Sequence, residues 1–154
     1  MAIALVQKAS SSGATHTINS VAAGNLLVVC VSWTNLYTRI LQSMAGNSQS
    51  FSAATDPKTT NATMASAMEV WYLADTPSGN YVLTPTWDAS PSVIWWSVFE
   101  FSGVTTTTPF DDGGNANGIG GTVQADAVTT VNNDLVVGMI ETTSSGRTVG
   151  ANYP

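Results

Sequence analysis

Clusters of glycine, asparagine, serine and proline divide this chain into short apolar runs. The runs have the length of β-strands and are too short for most helices. The clusters between them hold the residues that form tight turns at low conformational cost. This division predicts an all-β domain, an antiparallel β-sandwich of about eight strands.

The composition narrows the fold class further. Thr, Ser and Asn supply 49 of the 154 residues, whereas charged residues make up only 9%. A helical bundle is excluded because helix surfaces favour Glu, Lys, Arg and Gln. Hydrophobic residues make up 44% of the chain, which is enough to bury a core, and the length predicts a single domain over residues 1–154.

Nine segments are predicted to be strands. They are residues 2–7, 15–18, 26–33, 50–54, 65–73, 81–84, 92–101, 122–130 and 134–143. Residues 26–33 are apolar on both faces, which indicates a central strand. Residues 35–48 carry apolar side chains at helical spacing, which predicts a short helix or a long loop. Pro85 is expected to limit strand pairing, and residues 105–121 predict one long Gly/Asn-rich loop.

Charge excludes two classes of partner. The formal net charge is −6, and the four basic residues are scattered along the chain. Nucleic acids and anionic membranes both require a concentrated basic surface, so neither is expected as a partner. No apolar run reaches the ~18 residues of a membrane-spanning helix. The N-terminal residues lack the pattern of a signal peptide, which predicts synthesis in a cytoplasm.

The titratable residues do not form a catalytic set. Cys30, the single cysteine, lies in an apolar run and is expected to be a buried, inert thiol. His16 is the only histidine, and the sequence offers it no evident partner for general-base catalysis. Glu69 and Glu100 occur in predicted strands, where solvated or hydrogen-bonded carboxylates are expected rather than a glycosidase pair. The chain is therefore predicted not to be an enzyme and to hold no cofactor.

The five tryptophans invite a carbohydrate-binding interpretation, because flat aromatic faces stack on sugar rings. Core packing is favoured for the four in predicted strands, which are Trp33, Trp71, Trp95 and Trp96. Trp95 and Trp96 are adjacent and must point to opposite faces, so one of them faces solvent, a second layer or a partner. Trp87, in a predicted loop, is the best ligand or interface candidate.

An acidic, glycine-rich loop supplies further candidates. Asp111, Asp112 and Asn115 offer the oxygen ligands that Ca²⁺ prefers. The spacing lacks the pattern of an EF-hand, and Asp and Asn beside Gly are ordinary turn formers. We therefore predict no metal, with Ca²⁺ as the alternative. These residues are interface or ligand candidates, as are Phe110 at the start of the loop and Tyr153 near the end of the sequence.

Four spaced segments carry a resemblance to a known module. They are AGNLLV at residues 23–28, WY at 71–72, FEFSGV at 99–104 and NDLVV at 133–137. Together they resemble a widespread β-sandwich module of phage virion proteins and bacterial surface proteins, over residues 2–142. Phage capsid decoration (cement) proteins are similar in size and in jelly-roll-like character. The resemblance implies a jelly-roll-like fold, and its motifs contain no catalytic signature.

The resemblance and the low charge together lead to a functional expectation. They imply a non-enzymatic structural virion protein, a decoration subunit that stabilises the capsid through protein–protein contacts. The expected partners are the major capsid protein or other virion subunits, and the expected location is the virion surface. A homo-oligomer is expected, with a trimer as the guess. No apolar strand ends the sequence, so a neighbour is expected to cover the exposed sheet edge.

A second interpretation belongs to a different class. It is a carbohydrate-binding or adhesion module, extracellular or at a cell surface, that binds a glycan through Trp87 and a strand-face aromatic residue. The resemblance and the low charge favour the structural virion protein, and the carbohydrate-binding module is the alternative.

Overall fold

The computed structural model of the chain describes residues 2–34, 39–54, 59–61, 66–110 and 135–139. These ranges contain ten β-strands and no helix, and therefore no helix that could cross a membrane. The strands are β1 (Ala4–Ser12), β2 (His16–Val21), β3 (Leu26–Thr34), β4 (Leu41–Gly46), β5 (Gln49–Ser50), β6 (Ser52–Ala53), β7 (Thr59–Asn61), β8 (Ser66–Leu73), β9 (Gly79–Trp87) and β10 (Val93–Ser102).

The strands form two antiparallel sheets. The larger sheet has the order β1-β10-β3-β8-β6, with β7 also paired to β8, and the smaller has the order β2-β9-β4-β5. The chain passes from one sheet to the other at most connections, so neighbouring strands are often far apart in sequence. This is the strand order of an eight-stranded jelly roll, extended by the short strands β6 and β7. The predicted antiparallel, jelly-roll-like β-sandwich is confirmed.

The main hydrophobic core lies between the two sheets. Successive side chains of a strand point to opposite faces, so alternate residues of β3 meet the smaller sheet. These residues are Leu27, Val29, Val31 and Trp33, and none of them has exposed surface. The smaller sheet supplies Ile18, Val21, Leu41, Met44, Tyr81 and Leu83. Burying a side chain of this kind contributes about 1.5–3 kcal/mol to folding.

A second apolar cluster covers part of the outer face of the larger sheet. Its buried members are Leu26, Val28, Cys30 and Phe101. Residues 135–139 lie over this cluster, with Leu135, Val137 and Met139 packed against it and Val136 exposed. β3 is therefore buried on both faces, as the apolar run over residues 26–31 predicts.

Several local predictions are wrong. Residues 135–139 are not a strand, although a strand was expected over residues 134–143. Residues 41–46, expected as a helix or a loop, form β4. Pro85 does not end the pairing, because β9 continues through it and Pro85 lies opposite Met44. The predicted strand over residues 122–130 and most of the predicted long loop lie outside the described residues.

A glycine closes the last strand. Gly103 follows β10 with a φ of +77°, and a Cβ atom there would lie 2.3 Å from the backbone oxygen of Ala2. A side chain at this position is therefore excluded by both the backbone angle and the backbone of Ala2, which precedes β1.

Candidate functional site

The five tryptophans occupy three kinds of environment. Trp33, Trp71 and Trp96 are buried in the main core, as predicted. Trp87 is half-buried against this core. Trp95 does not join a core, because 43% of its surface is exposed. Trp95 and Trp96 face opposite sides of β10, which confirms the prediction from their adjacency.

Trp95 lies between two serines on the outer face of the larger sheet. Its partners across the sheet are Ser12 of β1 and Ser32 of β3. Residues paired directly in an antiparallel sheet point to the same face, with Cβ atoms about 4.5–5.5 Å apart. Ser97, two residues further along β10, is paired with Ser10 on the same face. The exposed indole is thus surrounded by small hydroxyl side chains.

An open cleft with a volume of about 490 Å³ lies at the same end of the sandwich. The β1–β2 turn, the end of β9 and the β9–β10 connection line it, and its lining includes Thr84, Trp87 and Val93. No charged side chain is present among the described residues of the lining. Ser12 also lines the cleft, so it joins the cleft to the surface around Trp95.

Both walls of the cleft are held by contacts to the core. The Trp87 ring packs edge-on against Trp33, with ring centroids 4.9 Å apart and an angle of 70° between the planes. Gly13, in the β1–β2 turn, donates its N–H to the Ile94 oxygen at 3.0 Å. The Gly13 oxygen accepts from Nε1 of Trp96 at 2.8 Å. These contacts fix the position of Trp87 and of the β1–β2 turn relative to the core.

The predicted candidate residues do not form one site. Phe110 stacks on Tyr72, with ring centroids 6.1 Å apart, and so packs against the outer face of β8. Trp87 packs against the inner core, and the structure does not bring these two candidates together. Asp111, Asp112, Asn115 and Tyr153 lie outside the described residues.

β1 provides a second accessible surface. It is an edge strand that pairs with β10 on one side and with no other strand among the described residues. A register shift between Leu5 and Gln7 leaves Val6 without a Cα partner. This bulge breaks the alternation of the strand, and Leu5 and Val6 are both exposed, at 52% and 50%. Two adjacent apolar side chains therefore lie on a strand edge that no other strand of the described ranges pairs with.

Glu100 is the centre of a buried polar network that the sequence analysis did not foresee. Its side chain has no exposed surface. The carboxylate accepts hydrogen bonds from the Gln7 amide at 2.5 Å, the Asn25 amide at 2.6 Å and the backbone N–H of Ala22 at 2.9 Å. Thr76 holds the same turn by donating its N–H to the Asn25 oxygen. The network fixes the β2–β3 turn by tying it to β1 and β10.

His16 has a serine partner that the sequence analysis missed. Its Nδ1 lies 2.5 Å from the Ser11 hydroxyl, and its ring stacks on Trp96. Its Nε2 is buried and has no hydrogen-bond partner among the described residues. In a catalytic triad the serine bonds to Nε2 and a carboxylate orients Nδ1, so this pair has a different arrangement. Burial lowers the pKa of His16, which keeps the ring neutral.

The remaining reactive groups offer no further site. Cys30 is buried, and burial raises the pKa of its thiol to about 11, which confirms the prediction of a buried thiol. Within the described ranges, no group of three or more His, Cys, Asp or Glu side chains is placed to hold a metal ion.

No protein-family model, curated protein or solved structure matches the chain. The resemblance to phage virion and bacterial surface modules therefore stays a prediction. The assignment of a jelly roll is based on the strand order alone.

Proposed function

We propose that the chain is a non-enzymatic structural virion protein, a phage capsid decoration (cement) subunit that stabilises the shell through protein–protein contacts. On this proposal it binds the major capsid protein or other virion subunits at the virion surface. It acts as a homo-oligomer, and a trimer suits a position on a local three-fold axis of the shell.

The observation that carries the proposal is the accessible edge of β1. Edge strands present unpaired N–H and C=O groups that a partner strand can complete. Leu5 and Val6 add exposed apolar surface at the bulge of this edge. Charged residues make up only 9% of the chain, and the cores of protein interfaces are likewise depleted in charge. These features favour a protein partner over a small substrate.

The proposed mechanism is stabilisation by mass action. A subunit that binds the assembled shell and not the dissociated capsid proteins shifts the equilibrium toward the shell. The effect grows with the free concentration of the subunit, so the shell becomes more resistant to heat as decoration approaches saturation.

The test uses empty and DNA-filled capsids built from the major capsid protein encoded in the same genome. We expect the chain to co-sediment with capsids at micromolar concentration and to raise the temperature at which they release DNA. Val6→Lys should weaken this binding at least about tenfold, since it places a charge in the contact.

The matched control is Val82→Lys on β9, where the side chain is equally exposed, at 51%, and lies in the smaller sheet. This variant should bind like the unchanged chain. The proposal is overturned if the genome encodes no capsid protein, if the chain does not bind capsids, or if the two variants behave alike.

A further inference from the structure

The exposure of Trp95 requires an explanation of its own. An indole is the largest apolar side chain, and most of its favourable contribution to folding comes from burial. Trp95 nevertheless exposes 43% of its surface, and its neighbour on the same face, Val93, exposes 37%. The two side chains lie two residues apart on one face of β10, so together they leave a small apolar surface in contact with solvent.

The chemistry around Trp95 indicates an uncharged ligand. Its two cross-strand partners are Ser12 and Ser32, and the next pair on the same face is Ser10 with Ser97. The nearest charged residue on this face of β1 is Lys8, a further pair along, opposite Phe99. The hydroxyl of a serine both donates and accepts hydrogen bonds. Ser32 is buried and Ser97 is half-buried, whereas Ser10 and Ser12 are exposed. The surface therefore combines one flat aromatic ring with the neutral hydroxyl groups of β1.

The cleft beside this surface supplies a second aromatic ring. Trp87 lines it, together with Thr84, Pro91 and Ser92, and Ser12 belongs to both the cleft and the surroundings of Trp95. The contact between Trp87 and Trp33 holds the second ring in place before any ligand arrives. A ligand long enough to pass over Ser12 would meet both indoles.

We propose that Trp95, Ser12 and the Trp87 cleft form a binding site for a neutral oligosaccharide. The C–H groups on one side of a pyranose ring carry partial positive charge, and the face of an indole is negative, so the two stack. The serine and threonine hydroxyls then bond to the sugar hydroxyls at the rim. This site is separate from the β1 bulge at Leu5 and Val6 and does not depend on capsid binding.

The charge of the chain excludes the closest competitors. A nucleic acid also stacks its bases on aromatic rings, but it requires basic side chains for its phosphates. The net charge is −6, and the described lining of the cleft has no basic residue. Acidic sugars are disfavoured for the same reason, which limits the ligand to neutral sugars.

The test is a titration of the full chain with a panel of neutral oligosaccharides of glucose, galactose, mannose and N-acetylglucosamine, followed by calorimetry. We expect at least one member to bind, with Trp95→Ala weakening the affinity about tenfold or more. Trp95→Phe keeps an aromatic face and should retain most of the affinity. Ser12→Ala should produce a smaller loss than Trp95→Ala.

Two controls keep the test decisive. Val82→Ala removes an equally exposed apolar side chain from the other sheet and should leave the affinity unchanged. Circular dichroism of each variant shows that the fold is retained, which is expected because Trp95 is exposed. The inference is overturned if no neutral oligosaccharide binds, or if binding survives Trp95→Ala unchanged. Neither result bears on capsid binding, which is measured with Val6→Lys.

Discussion

The two halves of the outer face of the larger sheet share their strands but differ in what covers them. In the covered half, Val28 and Phe101 lie beneath residues 135–139. In the open half, Trp95 faces solvent among serines. Within the described residues, the chain covers the part of the face that is continuously apolar. The open half has small hydroxyl groups that tolerate water, and it keeps one large side chain available for contact.

The largest expected effect comes from a charge placed in the covered half. Val28→Asp buries a carboxylate beneath residues 135–139, where Val28 is only 5% exposed, and should lower the free energy of unfolding by about 4 kcal/mol or more. Val93→Asp makes the same change in the open half and should lower it by less than about 1 kcal/mol. Urea unfolding measures both. Similar losses in the two variants would contradict the comparison.

The inner face of the larger sheet also differs between the part beneath the covered half and the part beneath the open half. Glu100, beneath the covered half, accepts from three donors, so Glu100→Gln replaces one acceptor oxygen by a donor that faces other donors. The expected loss of stability is about 2–3 kcal/mol. Glu69→Gln is the control, because Glu69 is only partly buried, and should change stability by less than about 1 kcal/mol. A neutral effect of Glu100→Gln in thermal unfolding would show that the network does not hold the turn.

The cover itself can be tested with Cys30 as the reporter. Val137→Asp should detach residues 135–139 from the cluster and lower stability by about 1–2 kcal/mol, so Cys30 should react with a thiol reagent about tenfold faster. Val136→Asp changes the exposed neighbour and serves as the control. If both variants react at the rate of the unchanged chain, residues 135–139 do not protect the sheet.

The smallest effect concerns His16, which stacks on Trp96 beneath the open half. Burial lowers the pKa of His16 below its usual 6.5, so the unfolded chain takes up a proton at a higher pH than the folded chain does. Stability should therefore decrease as the pH falls through about 6.5, until the folded form is protonated too. Unfolding experiments from about pH 7.5 to about pH 5.5 measure this decrease. His16→Gln should remove it, and an unchanged slope in that variant would assign the effect to other groups.

The sequence predicts the elements that follow simple periodicity. β3 is apolar over residues 26–31 and is buried on both faces, and the adjacent pair Trp95 and Trp96 divides between the faces of β10. β4 was missed because a register shift between Leu41 and Ser43 places two buried residues three positions apart. Buried residues at Leu41 and Met44 have the spacing of a helix, although they lie on a bulged strand.

Other features depend on contacts between residues distant in sequence. Residues 135–139 alternate in burial like a strand, because an extended segment lying on a sheet face also hides every second side chain. The candidate binding site also depends on contacts between residues that are distant in sequence. Trp87 was identified as a candidate in a predicted loop, which is wrong because Trp87 is the last residue of β9 and pairs with Leu41. The exposure of Trp95 depends on which part of the sheet residues 135–139 cover. The donors of Glu100 come from β1 and the β2–β3 turn, which no local pattern connects to β10.

The covered and the open half of the outer face of the larger sheet differ in their access to solvent. Hydroxyl-radical footprinting of the folded chain, read residue by residue by mass spectrometry, measures this contrast directly. Oxidation should be fast at Trp95 and slow at Trp96 and Cys30, because only Trp95 is in contact with solvent. Trp95 oxidised no faster than Trp96, or Cys30 oxidised as fast as Trp95, would contradict it.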